Sequence, residues 1–250
     1  AWPYVIRHGQ GYSRFEHTSH GIFLELLQFV PVEDPVKISR LTIENRSPRS
    51  RRLSVTAYVE WVLGVSRSAA APLTVTEVDP DTGALLARNA WNADFGERIA
   101  FADLGGRQTA WTGDRTEFLG RHGTLDHPAL LERGDRPSGR VGAGLDPCAA
   151  LQTVVEVPPG GREEVVFFLG ETATREEARG LERRLGEITR TLRGDTVMRA
   201  RNEPTRTSIS ERVSAVSGSL RQTTGRPTRT AMENYQFASE DLAAEIPKLR

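Results

Sequence analysis

A mainly β protein is predicted, a large antiparallel β-sandwich followed by a short helix and a poorly ordered tail, and three observations carry that prediction. Many short runs alternate apolar and polar residues with period two, the signature of half-buried strands. Gly- and Pro-rich clusters punctuate the runs, and almost no helical period precedes residue 170. Many strands joined by such turns point to a sandwich or a barrel.

In chain order, residues 22–30 form the first clear strand candidate. Val36, Ile38, Leu41 and Ile43 form the next, and the slip of one between Ile38 and Leu41 predicts a β-bulge. Leu53, Val55, Ala57, Val59 and Trp61 alternate with Ser54, Thr56, Tyr58 and Glu60, the cleanest half-buried pattern in the chain. The turn chemistry of residues 45–50 between these two runs predicts a hairpin. Further strands are expected over 73–78, 84–88, 98–104, 109–112, 150–157 and 164–169, separated by turns at 79–83, 104–107 and 158–161. Val154, Val155 and Val157, followed by Val165 to Leu169, read as a second hairpin whose return strand is buried on both faces.

The period then changes. Thr174 can cap a helix, Glu176 and Glu177 suit its first turn, and Leu181, Leu185, Ile188 and Leu192 recur at helical spacing. Beyond Gly194 no core-forming face is visible, so that stretch is expected to be poorly ordered, with a short helix near 239–245. The expected organisation is a β-sandwich over 1–172, the start of a helical linker over 173–193 and a divergent tail over 194–250.

Composition narrows the function classes. Formal net charge is zero, so no overall field favours nucleic acid or an acidic membrane surface. A single cysteine, Cys148 in what reads as a turn, excludes an internal disulfide framework and a thiolate metal cluster and suits a reducing, cytoplasmic setting. No apolar run approaches the ~20 residues of a membrane span. The chain opens Ala1-Trp2-Pro3-Tyr4 without Met, and it reads as a piece of something longer.

Chemistry concentrates in residues 7–21, which hold three of the five histidines with two arginines, an acid and two aromatics in a loop-like segment. Arg7, His8, Gln10, Tyr12, Arg14, Glu16 and His17 are the candidates for hydrogen-bonding a sugar or phosphate. Gly9-Gln10-Gly11 lacks the third glycine and following helix of a dinucleotide fingerprint. His17 and His20 stand three apart in a non-helical context, unlike the four-apart zinc motif, so no metal is assigned. No cofactor is expected either. No catalytic residue is assigned: there is no G-x-S-x-G elbow, and Glu16, Glu25, Glu60 and Asp94 read as solvated strand-face or turn acids. Among the aromatics Tyr12, Tyr58, Trp61, Trp91 and Trp111, exposed rings would offer flat faces to a sugar, while Trp61 and Trp111 are expected in the core.

Residues 7–17 (RHGQGYSRFEH), Gly21 with the strand to Val30-Pro31, residues 52–64 (RLSVTAYVEWVLG) and 112–120 (TGDRTEFLG) together resemble the N-terminal supersandwich domain of glycoside hydrolase family 94, formerly glycosyltransferase family 36. The wording is nearest the C-terminal phosphorylase-like region of cyclic β-1,2-glucan synthases. Residues 146–152 (DPCAALQ) and Gly170-Glu171 resemble it too, and the likeness runs from residue 1 to about 190. It implies a following helical linker and an (α/α)6 barrel that supplies the acidic proton donor, while phosphate attacks the anomeric carbon. No position here matches that acid.

The resemblance implies a non-catalytic carbohydrate-binding or scaffolding sandwich of a glycan phosphorylase or glycosyltransferase acting on β-linked glucans. Its expected partners are a β-glucan oligosaccharide and the catalytic barrel, with a homodimer left open, and the parent synthase would be attached to the inner membrane. Two alternatives differ in kind. A structural or protein-interaction sandwich without sugar affinity would bury Tyr12 and His17. A small hydrolase or metalloenzyme would need acids or histidines converging in a pocket.

Overall fold

A computed structural model describes residues 3–32 and 34–186. The expected tail over 194–250, the helix near 239–245, and Ile188 and Leu192 lie outside the described residues.

The described residues form two antiparallel sheets. The strands are β1 (Val5–Gly9), β2 (Tyr12–Ser19), β3 (Ile22–Phe29), β4 (Val36–Asn45), β5 (Arg51–Glu60), β6 (Val75–Val78), β7 (Leu85–Arg88), β8 (Ile99–Asp103), β9 (Ala110–Asp114), β10 (Pro147–Val157) and β11 (Arg162–Thr172). The large sheet has the order β1-β2-β3-β4-β11-β8-β7-β6, and the small one β5-β10-β9. The predicted sandwich is therefore present, with every expected strand position occupied.

Both predicted hairpins are corrected. β4 pairs with β3 and β11, while β5 pairs with β10 in the other sheet, so residues 45–50 carry the chain from one sheet to the other. Residues 158–161 likewise cross between β10 and β11. The two crossings lie side by side: the Asn45 N–H donates to Gly161 O and the Gly160 N–H to Asn45 O, 2.9 and 2.8 Å. Turn chemistry reports a reversal, not which sheet receives the next strand. Buried Asn45 holds the corner, its Nδ2 donating to the carbonyls of Arg49, Val157 and Pro158 and its Oδ1 accepting from Ser47 N and Oγ. Asn45→Ala leaves those groups without partners and is expected to cost about 2 kcal/mol in urea unfolding.

The expected bulge is absent, since β4 stays in one register against β3 from Asn45 to Ile38. The slip in spacing has another cause: β4 is buried on both faces. Leu41 and Ile43 face the core between the sheets with Trp61, Leu85, Leu151, Val157 and Val165. Val36 and Ile38 face a second core on the outer side with Leu86, Phe101, Val166 and Phe168. β11 is buried on both faces in the same way, as its continuous apolar run predicts.

The helix over 175–186 closes that second core with Ala178, Leu181 and Leu185. Thr174 caps it: Oγ1 accepts from Glu177 N at 3.1 Å, and Glu177 reaches back to Ala173 N at 3.0 Å, in the manner of a capping box. Its arginines fasten it to the β6–β7 turn, with Arg179 on Asp79 at 2.8 Å and Asp81 at 2.7 Å and Arg175 on Glu77. The outer face of the small sheet is covered by the short helical turns at Arg115–Phe118 and Ala129–Glu132, which pack Phe118, Leu119 and Leu130 on Tyr58 and Ala150. No helix among the described residues is long and apolar enough to cross a membrane.

Candidate functional site

The segment read as a loop is a strand pair. β1 and β2 join through Gln10–Gly11, with Gly11 at φ +79°, and run in register from Gly9 opposite Tyr12 to Val5 opposite Glu16. The alternation expected of strands is hidden here because β1 and β2 contribute no residue to either core, so neither face is apolar throughout. Opposed residues share a face and successive residues alternate, which divides the seven sugar-contact candidates. Arg7, Tyr12, Arg14 and Glu16 share one face, His8 and His17 the other, and Gln10 sits in the turn. They do not converge on one site.

The first face carries a ladder of alternating charge across four strands. Arg7 Nη1 donates to Glu16 Oε2 at 2.7 Å, and Arg14 lies 3.1 Å from Glu16 and 3.7 Å from Glu25. Arg40 lies 3.9 Å from Glu25. At its end the Tyr12 ring lies directly over Gly9, where an added Cβ would stand 2.2 Å from ring carbon Cε1. Only glycine leaves room for the ring to lie flat, and 45% of Tyr12 remains exposed. On the opposite face His8 Nδ1 meets Ser13 Oγ at 2.9 Å, and His17 stacks on Tyr4 at 4.0 Å with 13° between planes. His20, at φ +50°, belongs to the β2–β3 turn and pairs with Ser19. No cluster of His, Cys, Asp or Glu among the described residues could hold a metal ion.

Of the remaining candidate acids, Asp94 stands exposed and Glu60 is engaged. Glu60 receives the Tyr58 hydroxyl and Arg115 Nε, both at 2.9 Å, with Arg67 at 3.0 Å. Asp146 meets the same two arginines, closing a ring of two cations and two anions. Burial pushes the Glu60 carboxyl up, but Tyr58, Arg115 and Arg67 outweigh it and hold the group below the usual carboxylate range, the wrong direction for a proton donor. Cys148 is not in a turn: it opens β10 beside Glu60, fully buried, and burial raises its thiol far from a reactive value.

Trp61 is buried in the inter-sheet core and half-buried Trp111 packs against it, as expected. Trp91 is the opposite, 80% exposed. Sequence reading missed the buried acids Asp79, Asp103 and Glu182, which come from three separate segments and carry no local pattern. Only the leucine spacing around Glu182 hinted that it faces inward.

Residues 1–187 match the family described as glycosyl hydrolase 94, supersandwich domain. The chain belongs to this family. Among the relatives of the supersandwich domain, a cyclic beta-(1,2)-glucan synthase, NdvB, of Rhizobium meliloti (strain 1021) is 38% identical over 178 residues, 71% of this chain and 6% of that protein. A solabiose phosphorylase of Paenibacillus borealis is 32% identical over 187 residues, 73% of this chain and 24% of that one. An N,N'-diacetylchitobiose phosphorylase of Vibrio furnissii is 25% identical over 171 residues, 67% of this chain and 21% of that one. The supersandwich chain thus spans about a quarter or less of the length of these relatives.

Proposed function

We propose that this supersandwich domain, residues 1–172 with the helical linker beginning at 173–193, holds a β-linked glucan for a catalytic barrel against which it packs. Cytoplasmic action belongs to the same reading, as does a parent enzyme of the glycan phosphorylase or glycosyltransferase kind. The observation that carries it is the Tyr12 platform. One ring face rests on Gly9 and the other is open, and Arg7, Glu16 and Arg14 stand on the same side of the sheet. A flat aromatic face takes the C–H side of a sugar ring, and charged groups beside it hydrogen-bond the hydroxyls. The family match and the glucan synthase relative supply the choice of glucan.

Isothermal titration of the 250-residue chain with β-1,2-linked gluco-oligosaccharides is expected to give saturable binding. Tyr12→Ala should weaken it about tenfold, the value of one aromatic contact with its burial. Unchanged affinity in that variant would remove the hairpin from the site.

A second reading, a protein-interaction sandwich without sugar affinity, is favoured by β1 itself. It is an edge strand with Tyr4, Val5 and Ile6 exposed, a surface open to strand addition. A folded sample giving no heat with any gluco-oligosaccharide would favour that reading.

A further inference from the structure

A cleft of about 740 Å³ opens between residues 62–73 and the loop over 89–98, remote in sequence from the hairpin. Its volume falls within the ~300–1,000 Å³ of small-molecule sites. Val62, Val65 and Leu73 line one wall, Trp91 and Phe95 the other, and Arg98 and Glu171 also line it. Trp91 is 80% and Phe95 61% exposed, a large apolar area for a loop to leave in water.

The walls are built, not loose. Buried Asn89 ties them together: Nδ2 donates to Leu63 O at 2.8 Å across the cleft, and Oδ1 accepts from Trp91 N at 3.1 Å. Asn92 Oδ1 accepts from the N–H groups of Asp94 and Phe95, both at 3.0 Å. Gly96 closes the loop where an added Cβ would stand 2.6 Å from Asn92 O. The indole is thus held on a fixed backbone while its own surface stays open, the pre-organisation that lowers the entropic cost of binding.

The polar groups define the ligand class. Arg98 and Glu171 form a two-point pair, Nε and Nη2 each 2.8 Å from a carboxylate oxygen, and both side chains remain partly exposed. Such a pair keeps unused donors on the guanidinium and unused lone pairs on the carboxylate, side by side in one plane. Adjacent donors and acceptors of that kind match vicinal hydroxyls. Arg98 is neutralised by Glu171, and exposed Asp94 adds negative charge at the rim, so an anionic ligand is disfavoured.

We infer that this cleft is a second carbohydrate subsite, taking a neutral gluco-oligosaccharide with Trp91 as the stacking platform and Arg98–Glu171 as the hydroxyl-binding pair. It rests on the glucan-holding reading above and adds a surface to it. The test is ¹⁵N NMR and calorimetric titration of the full chain with short β-1,2-linked gluco-oligosaccharides. The Trp91 indole N–H is assigned by its disappearance in Trp91→Ala.

The expected result is a saturable shift of the Trp91 resonance and about tenfold weaker binding at this site in Trp91→Ala, partly restored in Trp91→Phe. Trp91 is exposed, so these variants should fold as the parent does. Binding that depends on Tyr12 while the Trp91 signal stays still would overturn the cleft and leave the hairpin standing. An unmoved Trp91 signal with no heat at all would sink both. A Trp91 signal that moves only when a catalytic barrel is added, never with sugar, would reassign the cleft to a protein contact and overturn the subsite.

Discussion

Phe168→Ala is expected to lower the unfolding free energy by about 4 kcal/mol, the usual loss when a large buried side chain leaves a cavity. Phe168 is 1% exposed at the middle of β11, in the outer core with Val36, Ile38, Leu86 and Phe101 from the large sheet and Leu181 and Leu185 from the helix. Strands on both sides fix the backbone, since Phe168 stands opposite Ile38 on β4 and Asp103 on β8, so the site relaxes chiefly by moving the helix. A domain of this size has about 5–15 kcal/mol in total, and the loss should appear as a large fall in the urea midpoint. Val154→Ala on β10 is the matched control. Val154 is exposed in a neighbouring strand of the other sheet and should change stability by no more than about 0.5 kcal/mol.

Stability should rise as pH falls from 8 to about 5, and Glu182→Gln should abolish most of that slope. Glu182 is 5% exposed on the buried side of the helix. Burial pushes its pKa up to about 7, with the Thr82 hydroxyl and Arg179 opposing and the Asp103 and Asp79 carboxylates adding to the rise. A carboxyl whose native pKa exceeds its ordinary value of 4.5 binds its proton more tightly when folded. The penalty is therefore complete above pH 7 and disappears as pH falls toward 4.5. Allowing for solvent screening it is on the order of 2 kcal/mol. Glu182→Gln should gain about that much at pH 8 and little at pH 5. Glu44, Glu60 and Asp79, held below their usual range by arginines despite burial, act in the reverse sense and withdraw stability below about pH 4. A flat profile between pH 5 and 8 in the parent chain would show that Glu182 reaches solvent.

What the sequence disclosed followed from how many faces of each strand are covered. β5 and β10 alternate in pattern or carry clear apolar runs, and both were legible. β1 and β2 were not, because half-buried Phe15 shares its face of β2 with Ser13, His17 and Ser19 while Tyr12 shares the other with Arg14 and Glu16, which leaves no apolar period to read. β4 misled for the opposite reason: apolar residues on both faces imitate a bulge. The candidate site was legible as a collection of residue types and illegible as geometry. Strand alternation places His8 and Arg7 on opposite sides, which no composition argument reveals once the segment is read as a loop. Trp91 was visible only as one aromatic among several. Its exposure depends on Asn89 reaching Leu63, a contact 26 residues away.

The paired sheet crossings also set the order in which the chain can assemble. β1 to β4 and β6 to β8 are joined to neighbours in sequence and can form early from local encounters. The centre cannot. Asn45 and Val157 lie 112 residues apart, and Thr56 and Gln152 96 apart, so both sheets wait on the same late return of the chain. Closing loops of that length is slow. Until β10 and β11 arrive, β4 has one open edge and β5 has no partner strand. An emerging polypeptide would expose these edges throughout synthesis of the intervening hundred or so residues, the interval in which misassembly is most easily reached.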